Sequence, residues 1–334
     1  MVEQPLVSII ITNYNGKKYL RNCLDSLFSG SYRNIETIFV DNGSGDGSID
    51  FVKSNFPQAL IVDNRQNLGL AVASNNGAQQ AKGKYLFFYN NDTIADQFLI
   101  ERLVKKMEQS SEVGICGCRT LTYDGKTLIN EGVTCDIFGY PYGKEKVFYV
   151  DAAIFVRRDL FSKLGGFDER MFLYGEDRDI CWRCWLYGYK VAALKDSVFY
   201  HDSACTKEDI TQYRTNIHRR FWGEFNSLRI LLKNYSLGFL LVILPIYMGI
   251  NLAEICAFLL KGKLRIARDV YLRSYLTNLR VFPDTLKKRS KVQRERKISD
   301  FQLTSRMSKL SGKLRLLLAA GIPRVDEQAR YDSK

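Results

Sequence analysis

Proline and histidine are scarce in this 334-residue chain, with six and two copies, and glycine reaches only 24. So little Gly and Pro, beside 46% hydrophobic residues, excludes a collagen-like, low-complexity or mainly disordered protein. The N-terminus lacks a charged segment followed by an apolar one, so no export signal is expected. The eight cysteines are therefore expected to be free thiols in a reducing compartment, not a disulfide scaffold. Cys181-Trp182-Arg183-Cys184 lacks the turn residues that let a zinc hook wrap its ion and looks helical, and Cys116 and Cys118 sit in an apolar strand-like run, so both pairs read as buried structural thiols. Excess charge is also missing from most of the chain. Residues 1–260 hold 29 basic and 29 acidic side chains, whereas 261–334 hold 20 and 7, so the whole net charge of +13 sits in the tail. That pattern predicts a neutral globular body with a basic tail, and no nucleic-acid partner.

What is present is an alternation. Apolar strand-like runs fall at 6–12, 35–40, 59–62, 85–89, 113–118, 147–156 and 190–193, with helix candidates near 17–29, 47–55, 70–81 and 96–109. The order predicts an α/β fold with a mainly parallel sheet flanked by helices. Such sheets bind ligands beyond the carboxyl ends of their strands. Three polar clusters lie at those ends: Thr12-Asn13-Tyr14-Asn15, Asp41-Asn42-Gly43-Ser44 and Asn90-Asn91-Asp92. They predict one site built from three loops.

The loop from Asp41 to Gly47 imitates a dinucleotide-binding turn, but the third glycine of G-x-G-x-x-G would fall at Ser48, and its two carboxylates would repel a pyrophosphate. Asp41 is better suited to accept a hydrogen bond from a nucleobase or ribose. Asp92, at the end of a buried strand, could hold a hard divalent cation or cap the next helix. Glu176 and Asp177 open a helix, where the dipole favours acids and would keep a general base ionised. His201 closes a strand-like run at 197–200.

Together these motifs resemble the family 2 glycosyltransferases, which have the GT-A fold, over roughly residues 6–230. The resemblance rests on 7–15 as first strand and nucleotide-contacting loop, Asp41-Asn42-Gly43-Ser44 with Asp46, Asn67-Leu68-Gly69 and Asn75-Asn76-Gly77, Asn90-Asn91-Asp92, and Phe167-Asp168-Glu169 through Glu176-Asp177. Leu70 replaces a usual aromatic, and Ala152 stands where many members have glycine. The resemblance implies donor binding by Thr12, Asn13, Tyr14, Asp41, Asn67, Gly69, Asn75, Asn90 and Asn91. It implies Mg²⁺ or Mn²⁺ on Asp92 and His201, an acceptor side at Asp168, Glu169, Tyr174 and Glu176, and Asp177 as the base. The implied activity is inverting transfer from a nucleoside-diphosphate sugar, dTDP-rhamnose or a UDP-sugar, to a glycan or polyprenyl-linked acceptor in cell-surface polysaccharide synthesis. The subgroup resembled is the rhamnosyltransferase-like one. An inactive nucleotide-sugar-binding scaffold of the same fold is the alternative.

The expected division is a GT-A domain over 1–225 and a helical, basic, membrane-associating region over 226–334. Residues 237–250 carry no charge, and 261–297 hold 13 basic and 3 acidic residues. A single helix over 237–260 would be about 36 Å long, enough to span a bilayer. It would, however, leave the basic tail on the side opposite the cytosolic donor, against the positive-inside rule. The expectation is a segment broken at Pro245 that lies in the cytoplasmic leaflet, with the basic stretch on anionic headgroups.

Overall fold

The computed structural model describes residues 4–143, 146–202 and 214–327. The chain divides into two compact units, one of Met1–Val133, Val147–Cys184 and Tyr189–Ala204, the other of Thr134–Lys146, Trp185–Gly188 and Cys205–Lys334.

The first unit begins with β1 (Val7–Asn13), α1 (Lys17–Phe28), β2 (Ile35–Asp41), α2 (Ser48–Asn55), β3 (Leu60–Asp63), α3 (Leu70–Gln80) and β4 (Tyr85–Asn90). Strand β1 reads VSIIITN with six of its seven residues buried, as a central strand covered on both faces requires. In α1 the buried residues are Leu20, Cys23, Leu24 and Leu27, the i, i+3, i+4, i+7 stripe of an amphipathic helix. Helix α3 presses close to the sheet: a Cβ on Gly77 would lie 2.5 Å from Ile10 Cγ2 and 2.8 Å from Val40 Cγ2. These strands pair in parallel in the order β3-β2-β1-β4.

After β5 (Thr93–Ala95), α4 (Leu99–Gln109), β6 (Val113–Thr122) and β7 (Leu128–Asn130), the sheet changes character. Strand β10 (Ala153–Arg157) inserts antiparallel between β4 and β6, and β11 (Lys190–His201) runs parallel to β6 and antiparallel to β5. Among the described residues the sheet therefore has nine strands, with β7 attached to β6. The run expected over 147–156 is a strand only from Ala153. Ala152 adopts φ +57°, a left-handed conformation that ends an extended chain. The run at 197–200 is instead the end of β11, joined to its start through an irregularity between Leu194 and Val198. The α5 (Arg158–Leu164) and α6 (Glu176–Leu186) helices complete the elements that position the site.

In the second unit, β8 (Thr134–Cys135) pairs with β9 (Pro141–Gly143), and β12 (Arg214–Asn216) with β13 (Arg324–Asp326). The rest is helical: α7 (Ile217–Asn234), α8 (Leu237–Leu260), the short α9 (Leu264–Ile266), a π-helical turn Ala267–Leu272, α10 (Arg273–Arg280), α11 (Phe282–Glu295), α12 (Asp300–Thr304) and α13 (Gly312–Ala320). Ser236 starts α8 by accepting a hydrogen bond from the Phe239 backbone N–H, and Ser299 with Gln302 forms a capping box on α12. The break expected at Pro245 does not occur, because α8 continues through it. Pro245 and Leu241, whose carbonyl loses its partner, both lie on the exposed side, so the ring is accommodated away from packed neighbours.

Candidate active site

Register brings the loops together. Asn13 at the end of β1 aligns with Asp41 at the end of β2, and Thr12 aligns with Asn90 at the end of β4. The fully buried Asn13 then joins the three loops. Its Nδ2 donates to Asp41 Oδ2 at 3.1 Å and to Ser44 Oγ at 3.0 Å, while its Oδ1 accepts from Asn91 Nδ2 at 2.7 Å. A Cβ on Gly16 would lie 2.1 Å from Asn91 Nδ2 and 2.5 Å from Asn13 Oδ1, so that glycine is what lets the amide pair form. Thr12 Oγ1 lies 3.3 Å from Ser74 Oγ.

Asp41 is fully buried, and its Oδ1 accepts from the backbone N–H groups of Gly43 and Ser44 at 3.1 and 2.8 Å. Its carboxylate shapes its own loop from beneath. Asp46 does likewise for the next turn, accepting from the backbone N–H of Lys17 and from Ser48. Burial opposes ionisation of Asp46, but these donors outweigh it and hold the carboxyl below the usual range.

An amide network that the sequence reading missed supports the other side. Asn42 Nδ2 donates to Asn67 Oδ1 at 2.9 Å, Asn42 Oδ1 accepts from Asn64 Nδ2 and the Leu68 backbone, and Asn76 Nδ2 reaches Asn64 Oδ1 at 2.9 Å. Gly69 has φ +85°, and a Cβ there would meet Phe172 at 2.6 Å. Asn75 lies in α3. It clamps the Phe167 backbone in both directions, at 3.0 and 2.9 Å. That ties α3 to the loop leading into Asp168 and Tyr174. Asp168 is buried and accepts from the Arg170 backbone, Glu169 is exposed, and Tyr174 sits at φ +67° immediately before Gly175 at φ +105°.

The pairing of β11 with β5 sets His201 opposite Thr93 and so beside Asp92. His201 Nε2 lies 3.2 Å from Asp92 Oδ1 but is buried without a hydrogen bond: the two atoms face one another without the alignment a direct bond requires. A buried ring nitrogen paired with a carboxylate, without an aligned hydrogen bond between them, is a donor set a hard cation could complete. Among the described residues no group of three His, Cys, Asp or Glu side chains converges on a metal position. Burial of His201 disfavours its charged form, but Asp92, then Asp151 and Asp202, raise its pKa overall. Burial, and then the charge of Asp92, pushes the nearby Cys23 thiol up to about 12, which removes it as a nucleophile.

Glu176 and Asp177 open α6. Burial, followed by the negative charge of Asp177, raises Glu176, whose Oε2 is buried without a partner. Burial, followed by the charge of Asp151, raises Asp177 to about 6. Asp151 was not predicted. Asn130 donates to its Oδ1 at 2.9 Å, and the next carbonyl, of Ala152, accepts from the Asn90 backbone at 3.2 Å. Its field therefore acts on both His201 and Asp177. Nothing local marks Asp151, because it gains its neighbours only when β10 inserts beside β4. Ala152→Gly is expected to stabilise the protein by about 1 kcal/mol, since the left-handed conformation penalises a Cβ; urea unfolding midpoints test this.

Residues 8–192 match the model of the family described as Glycosyl transferase family 2. The chain belongs to that family. Among similar proteins, an uncharacterized glycosyltransferase of Rickettsia prowazekii is 28% identical over 209 residues, covering 58% of this chain and 61% of the relative. The O-antigen biosynthesis protein RfbC of Myxococcus xanthus is 27% identical over 230 residues, covering 61% and 18%. Glycosyltransferase GlyA of Streptococcus pneumoniae is 32% identical over 118 residues, covering 34% and 17%. The chain thus spans between 17% and 61% of the length of these relatives. Two solved structures share the fold of this family 2 glycosyltransferase. A mannosyltransferase from Pyrobaculum calidifontis, in complex with GDP-Man and Mn²⁺, has TM-score 0.53 and 18% identity, covering 88% of this chain and 86% of that one. Residues 1–349 of S. aureus TarS have TM-score 0.56 and 16% identity, covering 86% and 88%.

Proposed function

We propose that this family 2 glycosyltransferase moves a hexosyl group, with inversion, from a nucleoside-diphosphate sugar (dTDP-rhamnose or a UDP-sugar) to a hydroxyl of a glycan or polyprenyl-linked acceptor. The setting is cell-surface polysaccharide synthesis, in keeping with an O-antigen biosynthesis protein among its relatives. The proposed location is the cytoplasmic face of the cell membrane, with 1–225 as the catalytic part and 226–334 as the membrane-associating part.

One observation carries the reading. The buried, unbonded Nε2 of His201 faces Asp92 at 3.2 Å, on the same sheet edge where Asn13 ties the Asp41 and Asn91 loops together. Asp92 and His201 would hold Mg²⁺ or Mn²⁺, whose chemistry is to offset charge growing on a departing diphosphate. The Asn42–Asn67 and Asn13–Asp41 networks hold the donor loops in place before binding, which lowers the ordering cost of the bound state. Asp177 takes the proton from the attacking acceptor hydroxyl, and Glu176, protonated more readily, leaves the negative charge on Asp177. A single displacement from the face opposite the leaving group inverts the anomeric carbon and requires no carboxylate nucleophile.

The test is thermal stabilisation by UDP, dTDP, GDP and NAD, each with and without Mn²⁺. One nucleoside diphosphate at a hundredfold excess over its Kd should add about 2.7 kcal/mol, and only with the metal. Stabilisation by NAD alone would overturn the reading. A nucleotide-dependent shift without sugar transfer to any glycan acceptor would favour the inactive scaffold.

A further inference from the structure

Helix α8 of the second unit combines buried polar side chains with exposed apolar ones. In α8 the buried residues are Leu240, Ile243, Tyr247, Asn251, Glu254 and Phe258, so both of its strongly polar side chains point inward. Glu254 pairs there with Arg220 of α7 at 2.7 Å and with Lys313 of α13, and accepts from Tyr271. Asn251 bonds Lys313 at 2.6 Å and Tyr275 at 3.1 Å. Glu224 of α7 joins the same cluster through Lys313 at 2.7 Å and Tyr140 at 2.7 Å. The opposite side of α8 presents Leu241, Val242 and Leu252 at 60–71% exposure and Leu260 at 89%. Helix α10 repeats the arrangement. Ser274 and Asn278 are buried, while Leu276 and Leu279, with Leu272 just before the helix, are exposed, and Leu286 of α11 continues the exposed set.

A water-facing helix has the reverse pattern, and outward leucines on this scale mark a contact surface. Charge identifies the partner. The segment 261–297, which carries α10 and α11, holds 13 basic and 3 acidic residues, and so is complementary to an anionic surface and not to an average protein. Spanning is disfavoured by the internal cluster. Arg220 and Glu224 on α7 and Lys313 on α13 bind the middle of α8, and a transbilayer α8 would carry these charges into hydrocarbon. A cleft of about 380 Å³ between α8 and α13, walled by Ile246, Ile250, Leu314 and Leu317 and by the paired Glu254 and Lys313, offers room for a lipid chain segment.

We infer that the outer face of α8 and the leucines of α10 and α11 form an interfacial docking surface for an anionic bilayer, with α8 lying along the membrane and not across it. This rests on the membrane-associated transferase reading and names its contact surface.

The experiment uses the full chain with Cys205→Ser. Met248→Cys, at the exposed midpoint of α8, carries an environment-sensitive fluorophore in a Cys256→Ser background, the other described cysteines being buried. Phosphatidylcholine vesicles containing phosphatidylglycerol should bind at least about tenfold more tightly than phosphatidylcholine alone, with a blue-shifted emission. Leu241→Glu with Leu252→Glu should abolish binding while the circular dichroism melt stays unchanged. A nitroxide near the lipid headgroup should quench more than one at the chain end. Stronger quenching from the chain end would overturn the interfacial mode in favour of a span. Absence of vesicle binding, or a dimer that the double variant converts to monomer, would overturn the membrane as partner. Nucleotide-sugar turnover in detergent is read in parallel; its persistence without vesicle binding would leave the transferase reading standing and remove only this one.

Discussion

Asp177→Asn should lower sugar transfer by roughly 10²–10⁴-fold, the range for losing a positioned general base, while stabilisation by the donor nucleotide is kept. The pH profile makes the prediction specific. As the proposed base, Asp177 would act only when ionised, and burial together with Asp151 raises its pKa to about 6. Activity of the wild type should therefore fall as pH drops through about 6, well above the range of an ordinary aspartate. Asp151→Asn should move this limb toward lower pH, because a neighbouring negative charge is removed. The same shifts affect stability. Glu176 and Asp177 both bind protons more tightly folded than unfolded, so their contribution is greatest in acid and is lost as pH rises through their folded values. A pH–rate profile of wild type and both variants checks the assignment; an unchanged rate in Asp177→Asn would show the base to be elsewhere.

Asp179→Ala should destabilise the fold by about 3–5 kcal/mol, the cost of stranding a buried charge. Asp179 is fully buried and bonds Arg183, one turn along α6, through Nε at 2.9 Å and Nη2 at 2.7 Å. The Arg183 guanidinium also donates to the Leu164 carbonyl at 2.6 Å, tying α6 to the end of α5. Removing the carboxylate leaves the cation enclosed with only that carbonyl. Asp179→Ala with Arg183→Met should recover much of the loss, since a buried pair is weakly stabilising relative to apolar packing. Chemical denaturation of the single and double variants measures it. A single variant as stable as wild type would refute the stranded-charge account.

Much of the first unit was legible because its signals are local. The stripe Leu20, Cys23, Leu24 and Leu27 is a property of neighbouring residues on one helix, and the expected helices near 17–29, 47–55 and 70–81 agree with α1, α2 and α3 to within one residue at each end. Strand β11 was legible only as two separate runs, 190–193 and 197–200, because the irregularity between Leu194 and Val198 interrupts the periodicity. Ala152 was visible as a residue where glycine is usual, but the reason, φ +57°, is a backbone fact. Asp179 and Arg183 show the four-residue helical spacing in the sequence, yet spacing alone does not say that the pair is buried.

The sequence by itself determined the alternating α/β order, the polar clusters at the strand ends, the family, and the separation of a neutral body from a basic tail. All of these follow from residue type and spacing along the chain. The tertiary structure decided the rest. Register, not spacing, set His201 against Asp92 across 109 positions, and the packing of α3 put Asn75 on the Phe167 backbone. Strand insertion brought Asp151 into the field of Asp177. The direction of each polar side chain on α8 was likewise invisible in composition, because an apolar run reads alike whether Asn251 and Glu254 face water, lipid or an internal cation. Only the positions of Arg220 and Lys313 settled which way they point.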